Sequence, residues 1–188
     1  IFSALLLGAS LNKHCRTKSR VLLVVDDLKE FQREVAMLSE FWEIRAIQHM
    51  RAHPSRLSEA ETRFSKVFTK LRILEQVEFI KVCYIDLDTI VVRSIDDAFS
   101  FPAPAALMRG NSEKALDSTR SADTFFDKIS GEVQGGINAG FMILEPHMKD
   151  FLHLSEKIVC PGRATTAPEQ DFLSTVDIYI DRWTPLPL

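Results

Sequence analysis

Apolar and polar positions fall into blocks along this chain, and the period within each block predicts helices and strands in alternation. Residues 3–14 carry an amphipathic pattern that runs through Leu11 and predict a helix. The short apolar run 21–25 predicts a strand, which Asp26-Asp27 ends while capping a helix from Leu28 to about Ser39. A strand is expected at 42–47, followed by a polar connection through His53-Pro54. Phe64, Val67, Phe68, Leu71, Ile73 and Leu74 recur at helical spacing and predict a helix over 62–76. Residues 79–85 are apolar and β-rich, predict a buried strand, and run straight into Asp86-Leu87-Asp88. Such alternation implies an α/β fold with a mostly parallel sheet and helices on both faces.

The second half reads differently. Pro102 and Pro104 punctuate a loop before the apolar stretch 105–108. Polar, small and charged filler then occupies 109–134, which predicts a long mobile loop of the kind that often serves as a lid. A glycine-flanked strand is expected at 135–144, then a helix over 147–158, a short helix from Pro168 and a strand at 178–180. No internal repeat or low-complexity tract interrupts this order.

Length and composition narrow the picture. At 188 residues, with 46% hydrophobic and 26% charged positions, the chain suits a single globular domain. A domain this long buries roughly 70% of its unfolded surface, so it needs neither disulfide nor metal to fold. The 23 basic and 26 acidic residues leave a formal charge of −3, without the basic stripe of a nucleic-acid binder. Cys15, Cys83 and Cys160 have no motif spacing and read as reduced thiols, Cys83 as a small core residue. The apolar opening Ile1–Ser10 lacks the basic leader of a signal peptide and reads as a core helix of a chain whose true start is missing. No apolar stretch reaches the ~20 residues of a membrane span, and a cytoplasmic or a Golgi-lumenal placement fits equally.

The most informative residues are Asp86 and Asp88. Side chains at i and i+2 of a strand project the same way, so the two carboxylates can converge at the carboxyl edge of the sheet, where open α/β folds bind ligands. Two carboxylates this close raise each other's pKa unless a cation sits between them. Oxygen-only ligation there suits Mn²⁺ or Mg²⁺ holding a phosphate group. The plainer reading is that both acids cap the turn into Thr89 and Ile90. Two chemistries use the arrangement: transfer from a nucleotide sugar, and aspartyl-phosphate hydrolysis of the haloacid dehalogenase type with Asp86 as nucleophile. Tyr84-Ile85-Asp86-Leu87-Asp88-Thr89 approximates the phosphatase signature but lacks its glycine before the Thr. That motif also normally opens its domain, whereas here a whole α/β layer precedes it.

Several segments, taken in order, resemble glycosyltransferase family 8, the retaining group that includes glycogenin and galactinol synthase. Residues 4–11 resemble its first helix, and Phe68-Thr69-Lys70-Leu71 its basic helix motif. Residues 84–88 with Ser94-Ile95-Asp96-Asp97 resemble its D-x-D region and the following turn. Gly136-Ile137-Asn138-Ala139-Gly140-Phe141-Met142 resembles the strand carrying a sugar-contacting Asn, and Pro168-Glu169-Gln170-Asp171-Phe172-Leu173 the acidic-Gln helix start near the reacting centre. The resemblance spans almost the whole chain. The family's first strand should precede Ile1, and its late His-x-x-Gly-x-x-Lys pattern does not occur before Leu188, which implies a domain incomplete at both ends.

The resemblance implies a GT-A-type, Rossmann-like nucleotide-diphospho-sugar transferase domain over 1–188. Its partners would be a nucleotide-sugar donor, UDP-linked by expectation, and a glycan, protein or small-molecule acceptor. Asp86 and Asp88 would hold the metal, and Lys70 would add a fixed positive charge near phosphates or sugar, where its plain alternative is a solvated lysine beside Arg72. Asn138 would meet sugar hydroxyls, or else satisfy turn backbone groups. Gln170 would sit beneath the anomeric carbon and Glu169 would bind donor-sugar hydroxyls; family members usually carry Asp at that position, and an acid is expected in a first helical turn in any case. Arg63 could reach a phosphate. His147 and His153 read as helix-surface residues, Trp42 and Trp183 as packing residues. A non-catalytic nucleotide-sugar-binding module uses the same residues and stands as the rival from another class.

Overall fold

The computed structural model describes residues 1–25, 32–57, 62–109 and 136–187. The Asp26-Asp27 cap, the expected mobile loop beyond Arg109, and the side chain of Arg63 therefore lie outside the described residues. The chain divides into two compact units, Ile1–His49 with Ile85–Ala98, and Met50–Tyr84 with Phe99–Leu188.

The first unit holds helix α1 (Phe2–His14), strand β1 (Val21–Val24), helix α2 (Gln32–Leu38) and strand β2 (Glu43–Ala46). β1 and β2 pair in parallel, with Leu22 opposite Ile44 and Val24 opposite Ala46. Ala4, Leu7, Gly8 and Leu11 line the buried side of α1, the i, i+3, i+4, i+7 stripe that 3.6 residues per turn demands. Within the stripe Ala4 clusters with Leu22 and Leu38, and Leu7 and Leu11 with Cys15 and Val91, while Trp42 packs against both groups. Trp42 donates its indole N–H to the Ala4 carbonyl at 2.9 Å. Gly8 permits this approach, because a Cβ there would lie 2.6 Å from both Phe41 Cβ and the Trp42 nitrogen. Asp96 fastens the chain after α1 by accepting from the Arg16 and Thr17 backbone N–H groups and the Thr17 and Ser94 hydroxyls. Those bonds, the one from the Arg16 N–H foremost, hold its carboxyl well below the usual carboxylate range.

The second unit is built on a four-stranded sheet in the order β3-β5-β4-β6, where β3 is Val82–Ile85, β4 Ala105–Met108, β5 Ile137–Leu144 and β6 Thr184–Pro185. The last residue of β3 already belongs to the first unit. β4 pairs antiparallel with β5 and parallel with β6. Helices α3 (Met148–Val159) and α4 (Pro168–Thr175) complete the unit with a long 3₁₀ segment, Thr62–Glu75. Phe68, Leu71, Leu74, Ile137, Met142, Leu154, Ile158 and Leu173 form its nearly waterless centre. Phe68 meets Phe172 edge to face, ring centroids 5.6 Å apart. Truncating a buried Phe of this kind to Ala costs about 3–5 kcal/mol.

The α/β class is as expected, with parallel pairing for β1–β2 and β4–β6 and an antiparallel partner in β5. Three local expectations are corrected. The segment expected as an α-helix over 62–76 winds as 3₁₀ turns. Its best-buried residues, Phe68, Leu71 and Leu74, are spaced by three, so three residues per turn put them on one edge, and the Arg72–Glu75 ion pair at 2.7 Å uses the same i, i+3 spacing. The strand expected at 79–85 starts only at Val82 and is half-buried along its length. Before it, Phe79 closes a turn onto the Gln76 carbonyl at 3.1 Å, and Ile80 is 91% exposed. Cys83 is accordingly half-buried, whereas Cys15 is buried and Cys160 exposed. Residues 178–180 form turns instead of a strand, since the Val176 carbonyl accepts from both Tyr179 and Ile180 N–H at 2.9 and 2.8 Å. Tertiary packing decides this stretch: Tyr179 is buried against Trp183, centroids 5.4 Å apart, and the strand moves on to β6. No helix among the described residues is long and apolar enough to cross a membrane.

Candidate functional site

A break in strand β5 organises the site. Ala106 of β4 faces Met142, but the next residue, Leu107, faces Asn138, so residues 139–141 oppose no residue of β4. Such bulges take backbone groups out of the ladder and re-aim side chains. Asn138 steadies the bulge by accepting from the Gly140 N–H through Oδ1 at 2.9 Å. Ala139, its first residue, has both main-chain groups met by side chains from other elements: its N–H donates to Gln170 Oε1 at 3.0 Å, and its carbonyl accepts from Lys70 Nζ at 3.3 Å.

Lys70 also pairs with Glu169 Oε1 at 3.1 Å, the two side chains only 10% and 9% exposed. Its ammonium lies 5.2 Å from the centre of the Tyr84 ring. A buried pair adds little net stability, because desolvation offsets attraction, yet removing one partner strands the other charge. The second carboxylate oxygen of Glu169, Oε2, is buried and has no hydrogen-bond partner among the described residues. Leaving a buried acceptor unmet costs about 1–3 kcal/mol, which marks this atom as one that none of the described residues serves.

Helix α4 brings the acidic residues in because Pro168 opens it and because its first turn is buried rather than solvated. Asp171 pairs there with Arg109 at the end of β4. Arg109 also donates its backbone N–H to the Gly136 carbonyl at 2.8 Å, while its buried Nε has no partner among the described residues. Ser174 donates to the Gln170 carbonyl at 2.7 Å and accepts from the Ile137 N–H at 3.0 Å, locking α4 onto β5. Gly136 has φ +80°, and a Cβ there would sit 2.5 Å from Ser174 Oγ, so both conformation and space require glycine.

Lys70, Asn138, Glu169 and Gln170, far apart in sequence, thus gather at one bulge. Asp86 and Asp88 lie in the first unit and share a turn of their own. β3 ends at Ile85, and the Thr89 N–H donates to the Asp86 carbonyl at 3.2 Å. Strand alternation is therefore not what places the two carboxylates; a tight turn is, with Asp86 half-buried and Asp88 exposed. Among the described residues no group of three or more His, Cys, Asp and Glu could hold a metal. Asp86 and Asp88 form an oxygen-only, two-carboxylate set. That donor set fits Mg²⁺ or Mn²⁺, ions commonly held by one or two carboxylates with substrate phosphates and water completing the shell.

Sequence reasoning does not single out Tyr84, Arg109, Asp171 or Ser174. Asp171 carries a signal, lying two residues beyond Glu169 in the same first turn; Arg109 carries none, since its partner is 62 positions away. His147 is exposed ahead of α3, and His153 pairs with Asp177 on the helix surface at 2.8 Å.

No protein-family model matches the chain. It is 31% identical to an uncharacterised protein of Acanthamoeba polyphaga mimivirus, over 97% of this chain and 64% of that protein. It is 28% identical to inositol phosphorylceramide glucuronosyltransferase 1 of Arabidopsis thaliana, over 90% of this chain and 26% of the enzyme. It is 25% identical to UDP-glucuronate:xylan alpha-glucuronosyltransferase 1 of the same plant, over 84% and 20%. The chain thus spans less than two thirds of the length of these relatives. Among solved structures, the apo form of the bifunctional glycosyltransferase WbbM superposes with a TM-score of 0.60 and 19% identity, covering 100% of this chain and 37% of that one. The homologues with named activities are glycosyltransferases, and the fold is the GT-A-type α/β fold.

Proposed function

We propose that the chain is the nucleotide-sugar-handling domain of a retaining hexosyltransferase of the family 8 type, drawing on a UDP-sugar and a divalent ion at Asp86 and Asp88. The observation that carries this reading is the Ala139 bulge, served by Lys70 and Gln170 beside a buried Glu169 oxygen that no described residue meets, in a chain related to glycosyltransferases. When bound, the ion would supply Lewis-acid stabilisation of the diphosphate as it leaves the sugar. Lys70 holds a positive charge at fixed position, set by Glu169 and the Ala139 carbonyl, so no reorganisation is needed as negative charge develops nearby. Glu169 Oε2 accepts from a sugar hydroxyl. Gln170, anchored through Oε1, keeps its Nε2 amide to donate beside the reacting carbon. Asn138 keeps its Nδ2 for the same purpose, its Oδ1 being committed to Gly140. Departure and attack on one face of the sugar give retention without a covalent nucleophile.

The test is release of UDP from UDP-glucose and UDP-galactose by the full chain. We expect turnover with Mn²⁺ that chelation abolishes. Phosphate release from an aryl phosphate instead would select the Asp86 phosphatase chemistry, and nucleotide-sugar binding without any release would select the non-catalytic module.

A further inference from the structure

We infer that Ser174 is a positioning residue, which fixes the Gln170 amide through a two-point clasp between helix α4 and strand β5. The inference rests on the nucleotide-sugar reading above and adds to it a buried residue that acts through Gln170. Ser174 is only 2% exposed, and its hydroxyl is used twice. It donates to the Gln170 carbonyl at 2.7 Å and accepts from the Ile137 N–H at 3.0 Å. One helical turn earlier, Gln170 Oε1 accepts from the Ala139 N–H at 3.0 Å. The two spacings match: residues four apart on a helix share a face and rise about 6 Å, and backbone N–H groups two apart on a strand lie about 7 Å from each other. Phe172 and Leu173 hold α4 down by apolar contact, which has no direction. The two hydrogen bonds have direction, and together they set one register of α4 on β5. Gly136 closes the clasp from the other side, since a Cβ there would lie 2.5 Å from Ser174 Oγ. With the Ser174 bonds gone, the start of α4 is free to pivot about Ala139 and carries Gln170 Nε2 with it. A shift of about 1 Å in a group beside the reacting atoms can cost about a hundredfold in rate.

Ser174→Ala in the full chain removes both bonds with little change in size. UDP release with Mn²⁺, from whichever of UDP-glucose and UDP-galactose the wild type uses, should show kcat about tenfold or more lower and KM within about twofold. Amide hydrogen exchange by NMR reads the clasp itself. The Ala139 N–H, whose partner is Gln170, should exchange about tenfold faster relative to the Leu154 N–H inside α3, whereas a serine that only stabilises the fold would speed both alike. Wild-type kcat in a folded Ser174→Ala would overturn the inference, and so would a loss of kcat with the Ala139 to Leu154 ratio unchanged. If Ser174→Ala does not fold, Ser174→Cys, a weaker donor and acceptor of similar size, is held to the same thresholds. A wild type that releases no UDP would overturn the nucleotide-sugar reading instead, and the exchange ratio would still decide whether Ser174 positions Gln170.

Discussion

The two places where acidic residues gather in this chain are built on opposite principles. Around α4, Glu169 and Asp171 are buried and each is matched by a cation brought from a distant element. On the turn after β3, which the Thr89 N–H closes onto the Asp86 carbonyl, Asp88 is exposed and Asp86 half-buried. The difference teaches where each residue's contribution falls. Acids in the first set are bound into the fold, so their loss shows in stability and activity together. Asp88, exposed on its turn, can be neutralised with the fold intact, so its loss is expected to show in chemistry alone.

The largest break in that contrast comes from Glu169→Ala. It leaves Lys70 buried and uncompensated, and should destabilise the protein by about 3–5 kcal/mol in denaturant titration. A cost below about 1 kcal/mol would mean that the pair is effectively solvated. Gly136→Ala is expected to come next, at about 1–3 kcal/mol, because it forces a side chain into a left-handed conformation and against Ser174. Gly136→Ala with Ser174→Ala should recover part of that loss in the same titration, and a double variant no better than the single would assign the cost to conformation alone.

The smallest effect belongs to the exposed surface of α3. Hydrogen bonds from His153 first, then from Lys157, hold the Asp177 carboxyl down at about 2. A depressed carboxylate contributes stability that is fully present above its ordinary value near 3.8 and is lost as pH falls through about 2. Melting temperatures should therefore converge between wild type and Asp177→Asn as pH drops through that window, with only a slight wild-type advantage at neutral pH, since exposed pairs are well screened.

Much of the site is legible in the sequence. The family-like motifs name Lys70, Asn138, Glu169 and Gln170 together, and the structure gathers the four at the β5 bulge. What escapes has no local signature. Phe68, Leu71 and Leu74 satisfy the spacing of an α-helix as well as that of 3₁₀ turns, so periodicity alone favours the commoner form. Ile178, Tyr179 and Ile180 have the composition of a strand, and only the burial of Tyr179 against Trp183 turns them into something else. The Arg109–Asp171 pair joins the end of β4 to the start of α4, and nothing in either neighbourhood announces the other. For Asp86 and Asp88 the pattern expects strand alternation, whereas both lie on a tight turn after β3.

The central claim is that those two carboxylates serve the chemistry and not the fold. The most direct measurement is Mn²⁺-dependent UDP release from UDP-glucose and UDP-galactose by Asp86→Asn and Asp88→Asn, alongside their melting curves. Turnover should fall by about a hundredfold or more in each, with the stability of Asp88→Asn within about 0.5 kcal/mol of the wild type. Wild-type turnover in either variant, or a loss of turnover accompanied by unfolding, would contradict the claim.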